Sequence, residues 1–156
     1  MTVRITTYIP PESDEVSEKF INCMMQCGKK TIARRIFSDM LAELEKRGHK
    51  TPRETFIRAI ENCKPVMEVR PKRVGGSIYQ VPFEVNPRRQ QMLSFRWIIG
   101  EARGRKGAAM YKKLAQSIQE ASENTGTAMK KKDDVERMAA ANRAFSHYAR
   151  FTKKKK

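Results

Sequence analysis

Lysine and arginine pairs recur along this sequence at the points where one predicted element ends and the next begins. Helix starts present free backbone N–H groups and a positive dipole end, so a phosphate bound at such a junction meets fixed donors as well as mobile charge. Taken singly, each cluster is also compatible with an ordinary solvated face. Taken together, they predict a surface that binds a polymer of phosphates. The clustered cations are Lys29, Lys30, Arg34, Arg35, Lys72, Arg73, Arg88, Arg89, Arg103, Arg105, Lys106, Lys112, Lys113, Lys130, Lys131 and Lys132.

The charge balance of the whole chain supports a polyanionic partner. Lysine and arginine number 33 against 17 aspartates and glutamates, which gives a formal net charge of +16 in 156 residues. Residues 1–63 carry 11 cations and 9 anions, whereas residues 64–156 carry 22 and 8. Such an excess destabilises a compact chain unless nucleic acid or an anionic membrane neutralises it. Nucleic acid is favoured and no membrane partner is expected, because no apolar run approaches the ~18 residues of a spanning helix.

Catalytic chemistry is not indicated. Gly75-Gly76 lacks the lysine and the serine or threonine that follow in a nucleotide-binding phosphate loop. No serine or cysteine has a histidine in a recognised arrangement, and the acids fit helix surfaces or caps. The sequence therefore predicts a binding protein rather than an enzyme.

The cysteines, Cys23, Cys27 and Cys63, are odd in number in a chain without an export signal, which predicts reduced thiols in an intracellular compartment. Cys23 and Cys27 are expected to share a helix face. A zinc site needs more ligands, and His49 and His147 stand in no recognised ligand spacing. We therefore expect no metal and no cofactor, with the cysteines packed as small apolar side chains.

The strongest local pattern spans residues 66–85, where two short strands flank Gly75-Gly76. Glycines allow the positive φ of a tight reversal, and Pro82 places its strand at an edge or in an isolated ribbon. A two-stranded ribbon is not stable alone, so helices must support it. Apolar residues on alternate positions predict one packed face, formed by Met67, Val69, Tyr79, Val81, Phe83 and Val85.

Apolar residues at helical spacing dominate the rest of the chain and predict a mainly α, single domain of six helices, with the basic hairpin between the third and fourth. The predicted organisation is an irregular segment at 1–12, a helical domain at 13–151 and a basic tail at 152–156. Trp97 is expected in the core, with Arg96 pointing outward. Predicted starts are Ser13 or Asp14, a capping box at Thr51-Pro52-Arg53-Glu54, Asn86-Pro87, and Asp133 or Asp134; predicted stops are Gly28, Gly48, Pro65 and Gly126.

Three long motifs resemble one known family. They are Lys72-Arg73-Val74-Gly75-Gly76-Ser77-Ile78-Tyr79-Gln80-Val81-Pro82, then Arg88-Arg89 with Arg96-Trp97-Ile98, then Gly126-Thr127-Ala128 through Lys130-Lys131-Lys132-Asp133-Asp134-Val135 and Arg137-Met138-Ala139 to His147-Tyr148. Over residues 13–151 the chain is similar to the bacterial-type family of small-subunit ribosomal protein seven. The resemblance implies six helices with a protruding hairpin, in agreement with the elements above, and no catalysed reaction.

The resemblance also implies partners. They are the 3′ major domain of small-subunit ribosomal RNA, whose primary binder organises assembly of the subunit head, exit-site transfer RNA and messenger RNA at the hairpin tip, and a neighbouring ribosomal protein. The compartment would be the cytoplasm of a bacterium, a plastid or a mitochondrion. The tip is Val74, Gly75, Gly76 and Ser77, and Asn142 and Tyr148 would contact the neighbour. The expected RNA-binding residues are Lys29, Lys30, Arg34, Arg35, Lys72, Arg73, Arg88, Arg89, Arg96, Arg103, Arg105, Lys106, Lys112, Lys113, Lys130, Lys131, Lys132, Arg137 and Arg143.

The chain departs from the family pattern at both ends. Family members begin with an arm rich in arginine and lysine, whereas residues 1–18 hold only Arg4 against four acids. The four lysines at 153–156 are either an extension that grips RNA or a solvated tail. The alternative function is a small architectural DNA-binding protein, since short helices with basic junctions also suit duplex phosphates. Selectivity for a folded RNA junction over duplex DNA distinguishes the two.

Overall fold

The chain folds as a mainly α-helical protein with one protruding β-hairpin, as its sequence predicts. A computed structural model describes residues 13–151. The predicted irregular segment at 1–12 and basic tail at 152–156 lie outside the described residues. In chain order the elements are α1 (Glu15–Met24), α2 (Lys30–Lys46), α3 (Pro52–Asn62), β1 (Met67–Val74), β2 (Ser77–Glu84), α4 (Pro87–Gly104), α5 (Met110–Ser122), α6 (Gly126–Ala141) and a 3₁₀ helix (Arg143–Phe151).

Helix α5 lies at the centre of the bundle, where it packs against α2, α3, α4 and α6. It buries Leu114, Ala115, Ile118 and Ala121 completely. Small alanines alternate here with branched side chains, so neighbouring helices approach α5 closely without leaving voids. The helices that carry the basic clusters are therefore fixed to one common element.

Four phenylalanines join the first four helices. The ring of Phe20 meets those of Phe56 and Phe95 edge to face, at centroid separations of 5.1 Å and 5.2 Å. Phe37 contributes a similar contact, 5.2 Å from Phe56. Such pairs add roughly 0.5–1.5 kcal/mol each beyond the area that they bury. The cluster orients α1 and α4, whose ends bear predicted phosphate-binding cations.

The helix starts predicted from capping residues are confirmed at α1 and α4. The Asp14 carboxylate accepts from the Ser17 N–H at 3.1 Å, and the Asn86 side chain accepts from the Arg89 N–H at 2.9 Å. Both capping residues are extended, with ψ of 161° and 154°. Thr51 has a ψ of 77° and makes no side-chain bond to its helix. The predicted capping box is therefore wrong, although α3 begins at Pro52 as expected.

Helix α2 stops at Gly48 as predicted, with the positive φ of +95° that glycine accepts readily. Helix α1 ends earlier than predicted, at Met24, and Cys27 and Gly28 form a left-handed turn with φ of 51° and 70°. The prediction that Cys27 shares a helix face with Cys23 is wrong, because Cys27 lies beyond the end of the helix.

Helix α6 begins well before Asp133 or Asp134, so the predicted cap is wrong. Its first N–H groups are satisfied instead by α4: the Glu101 carboxylate accepts from Thr127 N–H at 3.1 Å and from Ala128 N–H at 2.8 Å. A carboxylate is the favoured partner for the positive end of a helix dipole. This carboxylate comes from 26 residues upstream, where no local pattern could reveal it.

The two strands form an isolated antiparallel ribbon closed by Gly75-Gly76, as predicted. Both glycines have positive φ, 56° and 89°, which defines a two-residue type I′ turn. This turn also fixes the register, in which Val69 pairs with Pro82 and Arg70 with Val81. In an antiparallel ribbon, residues that pair across the strands share a face.

The predicted composition of the packed face is wrong for the first strand. Tyr79, Val81 and Phe83 do lie on one face, but the register places Glu68, Arg70 and Lys72 beside them, while Met67 and Val69 point to the other side. The face that meets the bundle thus contains a charged strand, and Glu68 is only 5% exposed there. A buried carboxylate needs cationic partners.

The 3₁₀ helix supports the hairpin. Helix α6 ends at Ala141, and the 3₁₀ helix that follows it packs against β2. The Tyr79 ring lies 5.2 Å from that of Phe145 and 5.4 Å from that of Tyr148. These contacts confirm that Tyr79 is on the packed face.

The Glu101 cap leads to a stability prediction. Replacing Glu101 with Gln should lower the free energy of unfolding by about 1–3 kcal/mol, because the amide offers one acceptor where the carboxylate offers two and removes a charged partner of Arg105. Glu45→Gln, at an exposed position of α2, is the matched control and should stay within about 0.5 kcal/mol of wild type. Urea denaturation measures both. Equal stabilities of the two variants would contradict the assigned cap.

Candidate nucleic-acid interface

The buried carboxylate of Glu18 binds two of the predicted phosphate-binding cations. Lys30 Nζ lies 3.0 Å from Glu18 Oε2, and Arg34 donates from Nε and Nη2 to both carboxylate oxygens at 3.2 Å and 3.1 Å. Burial raises the pKa of Glu18, but hydrogen bonds from Arg34 and Lys30 outweigh burial and hold the pKa below its ordinary value. Glu18 therefore stays ionised and ties the start of α2 to α1.

Glu68 plays the same part at the base of the hairpin. Its carboxylate pairs with Arg70 on the same strand and with Arg89 in the first turn of α4, where Nε lies 2.7 Å from Oε2. The guanidinium groups offset the cost of burying Glu68. Arg89 therefore connects the hairpin to the helical bundle, and part of its side chain is still exposed.

Arg105 is held between two acids. Its guanidinium pairs with Glu101 at 2.7 Å and with Glu120 of α5, and its backbone carbonyl accepts from Lys113 Nζ at 2.9 Å. Burial lowers the pKa of Arg105, but the hydrogen bonds to Glu120 and Glu101 raise it by more. The loop between α4 and α5 is thus pinned to the start of α6 through Glu101.

Other predicted cations bind backbone carbonyls. Lys72 Nζ donates to Tyr148 O at 2.7 Å, Arg103 to Met24 O at 3.1 Å and Lys132 to Asn62 O at 2.8 Å. Each of these cations links chain segments that are far apart in sequence. A further cation, Arg137, pairs with Asp134 on the exposed surface of α6 at 2.5 Å.

The remaining predicted cations are exposed, and within residues 13–151 they form no ion pair. They are distributed over the hairpin, four α-helices, the 3₁₀ helix and two of the connections between helices. Lys112 alone among them lies near a ring, 5.9 Å from the centre of Tyr111. This second group is Lys29, Arg35, Arg73, Arg88, Arg96, Lys106, Lys112, Lys130, Lys131 and Arg143.

The sequence analysis missed the buried acids that divide the cations into held and exposed groups, because it assigned all acids to helix surfaces or caps. A signal did exist. Glu101 follows Ile98 by one helical turn and precedes Ala102, so it lies on an apolar face where an acid needs cationic partners. Glu18 stands in the same way between Ser17 and Phe20, both of which are buried.

The remaining predicted site residues are placed as follows. Gly75, Gly76 and Ser77 are exposed at the hairpin tip and Val74 is half-buried. Arg96 points outward as expected, and Trp97 is half-buried against the core. Of the residues expected to meet a neighbouring protein, Asn142 donates to Met138 O at 2.8 Å and Tyr148 packs on Tyr79.

The thiols show two environments. Cys63 is buried, and burial raises its pKa to about 12; its Sγ lies 3.5 Å from the sulfur of Met129. Cys27 is exposed, so the expectation of a packed apolar side chain is wrong for that residue. No set of three metal-ligating side chains comes together anywhere in the described part of the chain. Within that same part, no helix has the length and apolar character needed to cross a bilayer.

Comparison with known proteins assigns the class. The chain is 51% identical over 143 residues to a small ribosomal subunit protein uS7 of Thermotoga neapolitana, which covers 90% of this chain and 92% of the relative. The uS7 proteins of Leptospira biflexa and Rhodopirellula baltica are 48% and 49% identical, over 89% and 90% of this chain and 88% and 90% of their own lengths. A basic helical bundle with such relatives is a structural protein of the small ribosomal subunit, and not an enzyme.

A family profile matches nearly the whole chain. The profile described as ribosomal protein S7p/S5e matches residues 3–143, and the chain belongs to that family. It is a ribosomal protein that functions in translation and binds small-subunit ribosomal RNA. The ribosome is of the bacterial type and is located in the bacterial cytoplasm or in an organelle. The architectural DNA-binding alternative is thereby set aside.

Adjacent arginines at the start of α4 provide a test of the held and exposed groups. Arg88→Ala should leave the free energy of unfolding within about 0.5 kcal/mol and reduce the slope of log affinity for ribosomal RNA against log salt by about 1, as one lost phosphate contact requires. Arg89→Ala should instead lower the free energy of unfolding by about 1 kcal/mol, with Arg70 still neutralising Glu68. Salt-dependent filter binding and thermal unfolding separate the two, and identical behaviour of the variants would refute the distinction.

Proposed function

We propose that the protein is a primary binder of the 3′ major domain of small-subunit ribosomal RNA and organises assembly of the subunit head. The observation that supports this role is the distribution of the exposed cations. They are distributed over the hairpin and several helices, which α5, the phenylalanine cluster and the buried carboxylates hold in fixed relation. Such an array suits a branched RNA junction, which encloses its ligand, better than a linear duplex.

Recognition of this kind depends on shape and phosphate position. The deep major groove of an RNA helix is closed to side chains, so proteins meet folded RNA through backbone phosphates, 2′-hydroxyls and unpaired bases. Each phosphate neutralised by a lysine or arginine releases counterions, and affinity falls steeply with salt as a result. Because the helices that carry these cations are already fixed in position, binding orders only the side chains, and this smaller entropy loss favours affinity.

The hairpin tip supports a second part of the proposal, contact with exit-site transfer RNA and messenger RNA. A type I′ turn of two glycines leaves the tip without side chains, and nothing in the described protein lies within 4 Å of a Cβ built at either position. A nucleic-acid backbone can therefore approach closely. Next to the turn, Arg73 pairs across the strands with Ile78, which is 71% exposed, so charge and apolar surface are presented together.

The 3₁₀ helix completes the proposal. Asn142, Arg143 and Tyr148 follow α6 and lie on the side of the hairpin where we place a neighbouring small-subunit protein. Tyr148 is half-buried against Tyr79, so it positions the helix, while the exposed Arg143 remains available to RNA or to an acidic side chain.

The junction role predicts a large preference for folded RNA. At physiological salt the protein should bind an intact 3′ major domain at least about 10³-fold more tightly than a duplex RNA or duplex DNA of equal length. A domain transcript with one junction helix deleted is the matched control, since its charge is nearly unchanged and its shape is lost. Competition binding measures the ratio of the affinities for the intact domain and for each competitor. Similar affinities for all four nucleic acids would contradict the junction role and indicate nonspecific electrostatic binding.

The proposed division between junction and tip predicts a separate effect at Gly75. Gly75→Val should strain the turn, because valine disfavours a φ of +56°, whereas Gly75→Asn should keep it, since asparagine tolerates this region. Affinity for the 3′ major domain should stay within about 2-fold for both variants. Subunits reconstituted with the valine variant should release exit-site transfer RNA faster than those with the asparagine variant. A loss of junction affinity for the valine variant would place the tip in the primary RNA contact.

A further inference from the structure

We propose that a cavity between the end of α1, the start of α2 and the start of α5 holds one unpaired RNA nucleotide, with its base on an apolar floor and its phosphates on the cations at the rim. This inference deepens the proposed function, on which it rests. We call the cavity the α1–α2 pocket. Methionines and isoleucines form its floor, and Lys29, Arg103 and Lys113 lie at its rim.

The size of the pocket suits a nucleotide. Its volume of about 380 Å³ lies near the lower end of the roughly 300–1,000 Å³ that small-molecule sites occupy. The left-handed turn at Cys27 and Gly28 joins the end of α1 to the start of α2, and both of these helix ends border the pocket. Met24 and Ala33, which also line the pocket, are buried.

The floor is apolar and adaptable. Three methionines and two isoleucines surround it, and thioethers make favourable contacts with flat aromatic rings. Ile32 is 54% exposed, although α2 buries four other apolar residues against the bundle. An isoleucine left in water at the edge of an apolar cavity gains by contact with a flat ligand. Enzymes that extract a base from the stack hold it between apolar or aromatic side chains in the same way.

The positive charges at the rim of the pocket favour an anionic ligand. Lys29 belongs to the exposed cations, while Arg103 and Lys113 are oriented by their bonds to Met24 O and Arg105 O. Among the described residues that line the pocket, none is acidic. The starts of α2 and α5 border the pocket, and their N-caps, Lys29 and Ala109, make no side-chain capping bond, so the positive ends of two helix dipoles lie near the rim without a capping side chain.

Charge complementarity decides between two occupants. An apolar side chain from a neighbouring protein would fill the floor but leave the three rim cations, Lys29, Arg103 and Lys113, without an anionic partner in the pocket. An unpaired nucleotide brings a planar apolar base together with phosphates on both sides, which matches floor and rim at once. Single-stranded segments with splayed bases are the parts of RNA that proteins read most directly.

Methyl NMR of the full chain tests this assignment. With ¹³C-methyl methionine, addition of the 3′ major domain RNA should move the signals of Met24, Met25 and Met110 upfield, because a base stacked on them adds its ring current. Met40 and Met129 are buried elsewhere and serve as internal controls. A mixed-sequence single-stranded hexaribonucleotide provides a second probe that does not require the junction.

Two isoleucine variants supply a matched comparison. Ile32→Gln should weaken binding of the 3′ major domain by about 5- to 150-fold with an unchanged salt slope, since stacking of one base is lost and no phosphate contact is. Ile57→Gln, at a position of α3 that is 45% exposed, should change affinity by less than about 2-fold. Lys29→Gln should reduce the slope by about 1 and leave the upfield shifts in place.

The outcomes separate the two proposals. Tight binding of the domain without methionine shifts, or equal affinities of the two isoleucine variants, would overturn the pocket and leave the junction role intact. Shifts that occur only on addition of neighbouring small-subunit proteins would assign the pocket to a protein side chain and also overturn it. If the domain shows no preferred binding, the junction role fails, and the hexaribonucleotide decides the pocket: shifts support it and their absence overturns it.

Discussion

Buried carboxylates that each bind cations from separate elements are the interaction on which this structure depends. In a chain with a net charge of +16, helices that end in lysine and arginine repel one another unless acids lie between them. Glu18 joins α1 to α2, Glu68 joins the hairpin to α4, and Glu101 joins α4 to both Arg105 and the start of α6. A buried ion pair of this kind adds little net stability, but loss of one partner leaves an uncompensated charge and is costly. The carboxylates therefore act chiefly by fixing which elements meet.

This arrangement explains how one chain both folds and binds a polyanion. If every cation were exposed, self-repulsion would oppose folding before RNA is present; if every cation were paired, little would remain for phosphate. The observed structure assigns adjacent residues to the two tasks, as with Arg34 and Arg35 in α2 or Arg88 and Arg89 in α4. In a helix, neighbours in sequence point about 100° apart, so one can face a buried acid while the next faces solvent. A pair of adjacent cations can therefore link two elements of the fold through one residue and leave the other residue free to bind phosphate.

The same geometry determines how much the sequence could reveal. Helix starts at Asp14 and Asn86 and the turn at Gly75-Gly76 were predictable, because each depends on bonds or φ values within a few residues. The cap of α6 was not, since its acceptor, Glu101, is remote in the chain. The packed face of β1 was predicted from apolar alternation alone, and the register set by the turn placed a paired glutamate there instead. For the site, the sequence grouped the cations as one class of RNA-binding residues but could not separate Arg34, which is paired, from Arg35, which is exposed.

The hairpin shows what the internal pairs achieve for function. It is attached at three points: Glu68 binds Arg89 of α4, Val66 N–H donates to Glu136 of α6 at 3.1 Å, and Lys72 donates to Tyr148 of the 3₁₀ helix. Strands of eight residues at about 3.3 Å per residue make the hairpin roughly 26 Å long, and the 3₁₀ helix supports it as far as Lys72, which is two residue pairs from the glycine turn. Within the described residues these attachments fix the hairpin along most of its length, while a Cβ built at either glycine of the turn would meet nothing within 4 Å. A bundle seated on an RNA junction would therefore hold its hairpin tip at one set distance, so that contacts made at the junction determine what the tip can reach.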